Sequence, residues 1–122
     1  MSTARFNTLQ NAAATKSVPV DTVVAGSAKA WVNFDGVTTA TIRASHNISS
    51  VVRNSTGNYT LNFTSAMVDT SFCVAGTAGF NDAASMGTVN PKAFTVGSLQ
   101  FITDYANGSV SDYSWISVAV FR

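Results

Sequence analysis

A chain of 122 residues with 11% charged side chains and a net charge of +1 has room for one hydrophobic core, not two. Its seven Lys and Arg are scattered, which argues against nucleic-acid binding, and no apolar run reaches the roughly 20 residues of a membrane-crossing helix. All the acidic residues are Asp, Leu is scarce, and Val, Thr, Ser, Asn and Ala dominate, so the expected class is all-β.

The opening MSTARFNTLQNAAATK lacks the apolar middle of a secretory signal. Asn-X-Ser/Thr occurs at Asn47, Asn54, Asn58, Asn62 and Asn107, and without such a signal these read as coincidence in an Asn/Ser/Thr-rich chain. Residues 1–28 read as an N-terminal arm and residues 29–122 as the folded domain. The arm has few large apolar residues, among them Phe6, Leu9, Val18, Val20 and Val23. A weak helical pattern covers residues 11–14, and Pro19 stops anything helical before it. Ordering each residue costs roughly 1–2 kcal/mol of backbone entropy. An arm this polar therefore needs a neighbouring subunit or another protein to hold it.

From Lys29 onward the period is two. Ala30, Val32 and Phe34 share one face, with Trp31 and Asn33 on the other. Asp35-Gly36 signals a turn. Residues 38–44 alternate again, with Ala40, Ile42 and Ala44 on one side, until Ser45-His46-Asn47 breaks the pattern. Residues 48–53 and 58–63 flank Asn54-Ser55-Thr56-Gly57, a hairpin with a four-residue loop in which Gly57 supplies φ > 0. Tyr59, Leu61 and Phe63 face the core. The chain bends over 65–70 and returns over 71–75 with Phe72 and Val74 inward. Residues 76–90 read as a Gly/Ala/Asn-rich loop. Strands follow over 92–96 and 98–105, then the turn Ala106-Asn107-Gly108-Ser109. The last strand, 113–121, is apolar on both faces: Ile116, Val118 and Val120 on one, Trp115, Ala119 and Phe121 on the other. That pattern fits a strand buried between layers or at a subunit contact. About eight short strands at close spacing predict an antiparallel β-sandwich, jelly-roll-like, with an extended N-terminal arm.

Catalytic chemistry has little to work with. His46 is the one histidine and lies in a turn; Cys73 is the one cysteine, excludes an internal disulfide, and reads as a small buried hydrophobe. Zinc would need several Cys or His, and Asp104, Asn107 and Asp112 make only a weak calcium pattern. No phosphate-binding glycine motif occurs. The expectation is therefore no catalytic residue, no cofactor and no metal. Trp31, Tyr59, Tyr105, Tyr113 and Trp115 are candidates to stack on sugar rings, although their strand positions favour core and interface roles. Tyr105, Asn107, Asp112 and Tyr113 surround one turn and form the expected ligand-facing tip.

The segments KAWVNFDG, ATIRASHNISSVVRNSTGNYTLNFTSAM and ISVAVFR resemble a domain recurrent in tail fibres and small virion proteins of bacteriophages, notably marine and cyanobacterial ones. The opening STARFNTLQN is similar to the N-termini of short phage appendage proteins. The resemblance covers nearly the whole chain, with a gap over 79–96. This chain departs from the pattern at Met67-Val68-Asp69, where a proline often follows the methionine. The resemblance implies a non-enzymatic virion protein, made in the host cytoplasm, located on the particle surface and often trimeric. The expected placement is a tail fibre or short appendage that contacts the host; a capsid decoration protein and a carbohydrate-binding module are the alternatives. The expected partners are sister subunits, other virion proteins and a host-surface glycan, with no nucleic acid and no membrane insertion. Phe6, Leu9, Val18, Val20, Val23, Trp115 and Phe121 are the expected contact residues.

Overall fold

The computed structural model describes residues 3–80 and 86–122. In chain order it contains β1 (Thr8–Gln10), β2 (Ser17–Pro19), α1 (Val20–Gly26), β3 (Ala28–Asp35), β4 (Thr41–His46), β5 (Ile48–Ser55), β6 (Asn58–Phe63), β7 (Cys73–Gly79), β8 (Met86–Thr95), β9 (Ser98–Tyr105) and β10 (Trp115–Phe121). β1 and β2 form a separate hairpin. The other eight strands make one sheet in the order β4-β3-β10-β7-β8-β9-β6-β5, antiparallel throughout.

That sheet folds over into two layers. Among the described residues, β7 and β8 meet only at Ala78–Gly87 and Gly79–Met86, a narrow seam at which the sheet can bend. On the opposite side, β4 and β5 are one strand interrupted by Asn47 alone, so the chain leaves one layer and enters the other in a single step. Asn47 has φ +56°, a region that Asn tolerates better than most residues. Its amide donates to the carbonyls of Lys29 (3.0 Å) and Ser65 (3.1 Å), and its Oδ1 accepts the Ser65 N–H (2.7 Å), which pins this corner.

The core lies between the layers. Alternation supplies it: Ala30, Val32 and Phe34 from β3, Tyr59, Leu61 and Phe63 from β6, Leu99 and Phe101 from β9, and Ile116, Val118 and Val120 from β10 are all buried. Phe34 belongs to one layer and Tyr59 and Phe101 to the other. Their rings meet edge-on, 5.2 and 6.3 Å apart, in the geometry that aromatic quadrupoles favour. A second aromatic group, Phe63, Phe72 and Phe94, closes one end of the sandwich. The elbow after β6 is scaffold: Met67 is buried, its N–H bonds the Val96 carbonyl (2.8 Å), and Asp69 holds the Ser71 N–H (2.8 Å) and the Arg122 guanidinium (2.6 Å).

Several expectations need correction. The expected loop over 76–90 contains the end of β7 and the start of β8; residues 81–85 lie outside the described residues. The strand expected over 71–75 is the first half of β7, which starts at Cys73 and packs Val74 against the core; its second half, where Ala78 is the only fully buried side chain, is made of small residues that hid it. Residues 11–14 form a turn, and the helix follows Pro19 instead of preceding it. Pro19, at φ −58°, serves as its N-cap. The β5–β6 loop is the two residues Thr56-Gly57, since β5 runs on to Ser55. β4 starts at Thr41 and is exposed along its whole length, so Ala40, Ile42 and Ala44 do not form a buried face. β10 begins at Trp115. Cys73 is exposed, not buried.

Candidate functional site

The groups with catalytic potential do not converge. His46 stands on β4 opposite Trp31, and Cys73 stands on β7 opposite Phe121. Three strand spacings separate β4 from β7, about 14 Å, far beyond hydrogen-bond reach. Three of the described carboxylates are committed to arginines: Asp35 to Arg43 (3.4 Å), Asp69 to Arg122 and Asp112 to Arg53 (both 2.6 Å). The Asp104, Asn107 and Asp112 set does not gather. Asp104 accepts from the Thr88 hydroxyl and the Asn90 amide (2.8 Å), while Asn107 Oδ1 accepts the Ser109 N–H (3.0 Å) within its own turn. Among the described residues no three metal-binding side chains cluster.

The expected tip is overturned at two of its four residues. Tyr113 is completely buried, packed against Phe80 (5.1 Å) and Tyr105 (5.5 Å). Burial raises its phenol above the usual range. Asp112 faces inward. It accepts from Arg53 Nη2 (2.6 Å) and Nε (3.1 Å), from the Gly57 N–H (2.9 Å) and from the Tyr59 hydroxyl (2.5 Å). Burial alone would push this carboxyl up; the bonds from Arg53, Gly57 and Tyr59 outweigh it and hold it below the usual carboxylate range. Tyr59 moves the other way, raised first by burial and then by its bond to Asp112. The cluster ties the segment before β10 to the β5–β6 turn. Thr103, wholly buried, extends it: its Oγ1 donates to the Ser111 carbonyl (2.6 Å) and its N–H to the Gly57 carbonyl (2.8 Å). Gly57 has φ +62°, and a Cβ there would lie 2.6 Å from the Thr103 carbonyl oxygen, so the clamp requires glycine. Tyr105 and Asn107 remain exposed.

The arm has the opposite character. Leu9 pairs with Val18 across the β1–β2 hairpin, and Asn11 closes its turn by holding the Lys16 N–H (2.9 Å) and the Thr15 hydroxyl (3.0 Å). α1 follows directly, with the Val20 N–H bonded to the Asn7 carbonyl (3.0 Å). Lys29 Nζ reaches back to the carbonyls of Val24 and Ser27, placing a cation at the negative end of the helix. Within 3–27 no residue is buried. Phe6 (64% exposed), Leu9 and Val23 face solvent, while Val18 and Val20 are half-buried.

One other surface stands out. On the outer face of β3, β10 and β7, Trp31 stands opposite Ala119 and Ala119 opposite Ala75. Two residues along, Asn33 stands opposite Ser117 and Ser117 opposite Thr77. The small side chains leave a trough of about 350 Å³. Trp31 is 40% exposed at its edge, and Trp115, 45% exposed, follows Ser117 on the same face of β10. Arg43 lies over the Trp115 ring, 4.0 Å from its centroid, tethered in turn by Asp35. Phe121 is half-buried on this face. The aromatics grouped together in the sequence thus divide: Tyr59 and Tyr113 are core, while both tryptophans are surface. Half of the trough floor is legible in β10, where Ser117 and Ala119 alternate with large inward residues; the β7 half carries no sequence signal.

Comparison with protein-family models, with curated proteins and with solved structures finds no match for this chain.

Proposed function

We propose that this chain is a non-enzymatic structural protein of a virion, a β-sandwich body attached through its N-terminal arm to a neighbouring virion protein or a sister subunit, in a trimer. The observation that carries the reading is the arm. A two-stranded hairpin is marginal in water, and a helix of seven residues is far below the roughly 12–15 that persist alone. Both occur here without a single buried side chain, while Phe6, Leu9, Val23 and Val24 project outward. Such a segment gains its order by burying those side chains on another chain. The body needs no such help, and its scattered His, Cys and Asp favour scaffold over turnover.

The sequence resemblance to phage appendage proteins supplies the setting, and a tail fibre or short host-contacting appendage is the first placement. A capsid decoration protein uses the same arm at a different stoichiometry, roughly tens to hundreds of copies per particle against a few. Immunogold imaging and quantitative protein analysis of virions, purified from the lysate in which the chain is made, test both. A few copies at the tail support the appendage, shell-wide labelling supports decoration, and absence of the chain from the particle overturns the proposal.

A further inference from the structure

The structure assigns the trough between Trp31 and β7 as a binding site for a neutral saccharide of one or two rings. This deepens the reading above by giving the body a ligand, and it does not use the arm. Pyranose rings are amphipathic, with apolar C–H faces and hydroxyl edges. The trough is amphipathic in the same sense. Its row Trp31, Ala119, Ala75 is apolar, and its row Asn33, Ser117, Thr77 presents an amide and two hydroxyls. The rows lie about 7 Å apart and each spans about 10 Å across three strands. Aromatic rings stack on C–H faces, and amide and hydroxyl side chains pair with sugar hydroxyls. Asn33 Nδ2 donates to Ser117 Oγ (2.8 Å), which orients both groups at the floor. No charged side chain lines the trough, so no formal charge there favours an ionic ligand over a neutral one. Its volume of about 350 Å³ sits at the small end of the roughly 300–1,000 Å³ typical of ligand sites.

Two other features separate this face from ordinary surface. The outer face of β5, β6 and β9 satisfies itself: Asn54 bonds Thr60 (2.8 Å), Asn62 bonds Ser50 (2.9 Å) and Gln100 bonds Asn58 (2.9 Å). The trough face pairs Asn33 with Ser117 in the same way but in addition leaves Trp31 40% and Trp115 45% exposed. A two-fold dimer through this face is a poor occupant, because two troughs placed mouth to mouth would enclose a void instead of filling one; a heterologous contact with another copy is the outcome that sedimentation reads.

Trp31 and Trp115 are the only tryptophans in the chain and both lie on this face, so intrinsic fluorescence reports it directly. The full chain would be titrated with cellotriose, maltotriose and chitotriose and screened on a glycan array. At least one neutral glycan is expected to shift the emission. Trp31→Ala is expected to weaken that binding by about tenfold or more, and Tyr105→Ala to leave it unchanged. Ala75→Gln fills the trough from an exposed strand position and is expected to abolish binding with both tryptophans intact; it decides the matter if Trp31→Ala fails to fold. A blank array with silent titrations overturns the inference. So does binding that survives both substitutions, or sedimentation showing that the two substitutions dissociate an oligomer. Leu9→Asp, which strikes the arm, is expected to leave glycan binding intact, so loss of arm attachment and loss of sugar binding are read separately.

Discussion

The sandwich and the arm carry apolar side chains in similar sequence contexts, yet the sandwich buries them and the arm does not. In the body, Val32, Phe34, Leu61, Phe101 and Val120 are almost wholly removed from water and touch across two layers. In the arm, Leu9 stands opposite Val18 and is still 46% exposed, and α1 has no buried residue. A strand with period two has one face to bury, and it does so only where a second layer is opposite. The arm has one layer. The comparison teaches that the body buries its own apolar faces between two layers, whereas the described arm leaves its apolar side chains unburied.

The largest expected effect lies in the body. Phe34→Ala removes the ring that bridges the layers and should cost about 3–5 kcal/mol, read as a lowered urea midpoint with an unchanged slope. Next comes the polar clamp. Asp112→Ala strands Arg53 and the buried Tyr59 hydroxyl and should cost about 2–3 kcal/mol by the same measurement. The clamp also sets an acid response. Asp112 is held below the usual carboxylate range in the folded chain, so its contribution is complete above that range and is lost as pH falls through the lowered folded value. Asp69, held down to about 2 first by Arg122 and then by the Ser71 N–H, loses its contribution between about 4 and 2. Acid denaturation monitored by circular dichroism should therefore begin only below pH 4, and Asp112→Asn should flatten the curve there. A curve that is already falling at pH 6 would break this account.

The smallest effect on the isolated chain should come from the arm. Phe6→Ser and Leu9→Ser should change its stability by no more than about 0.5 kcal/mol, because neither side chain is buried. The same pair should abolish arm-dependent attachment to the particle. If the arm variants destabilised the body as Phe34→Ala does, the contrast between the two regions would collapse.

Much of the body was readable because β3, β6, β9 and β10 alternate large apolar residues with small or polar ones, and that period has one physical meaning. The second half of β7 and the start of β8 were not readable. Ala75, Gly76, Thr77 and Ala78 are tolerated in a strand because the neighbours β10 and β8 supply its hydrogen bonds and bulk, which a local window cannot register. The helix after Pro19 was missed because VDTVVAG is rich in β-branched residues with poor helix propensity. At the candidate sites, both tryptophans and Tyr59 occupy strands and Tyr113 lies just before β10, so composition could not separate surface from core. Tyr113 looked like a loop tip from its distance to Asn107-Gly108, yet it lies under Gly87 on a strand that the sequence concealed.

Alternation, turn residues and the low charge determined by themselves an all-β class, most strand positions and the inward sets of β3, β6 and β10, because these follow from the two-residue repeat of an extended backbone. Which outer face would hold a trough, which aromatics would meet solvent, and which carboxylate would be locked inside were decided by the pairing order. Pairing brings residues as distant as Trp31, Ala75 and Ala119 onto one surface, and no property of any of the three alone carries that information.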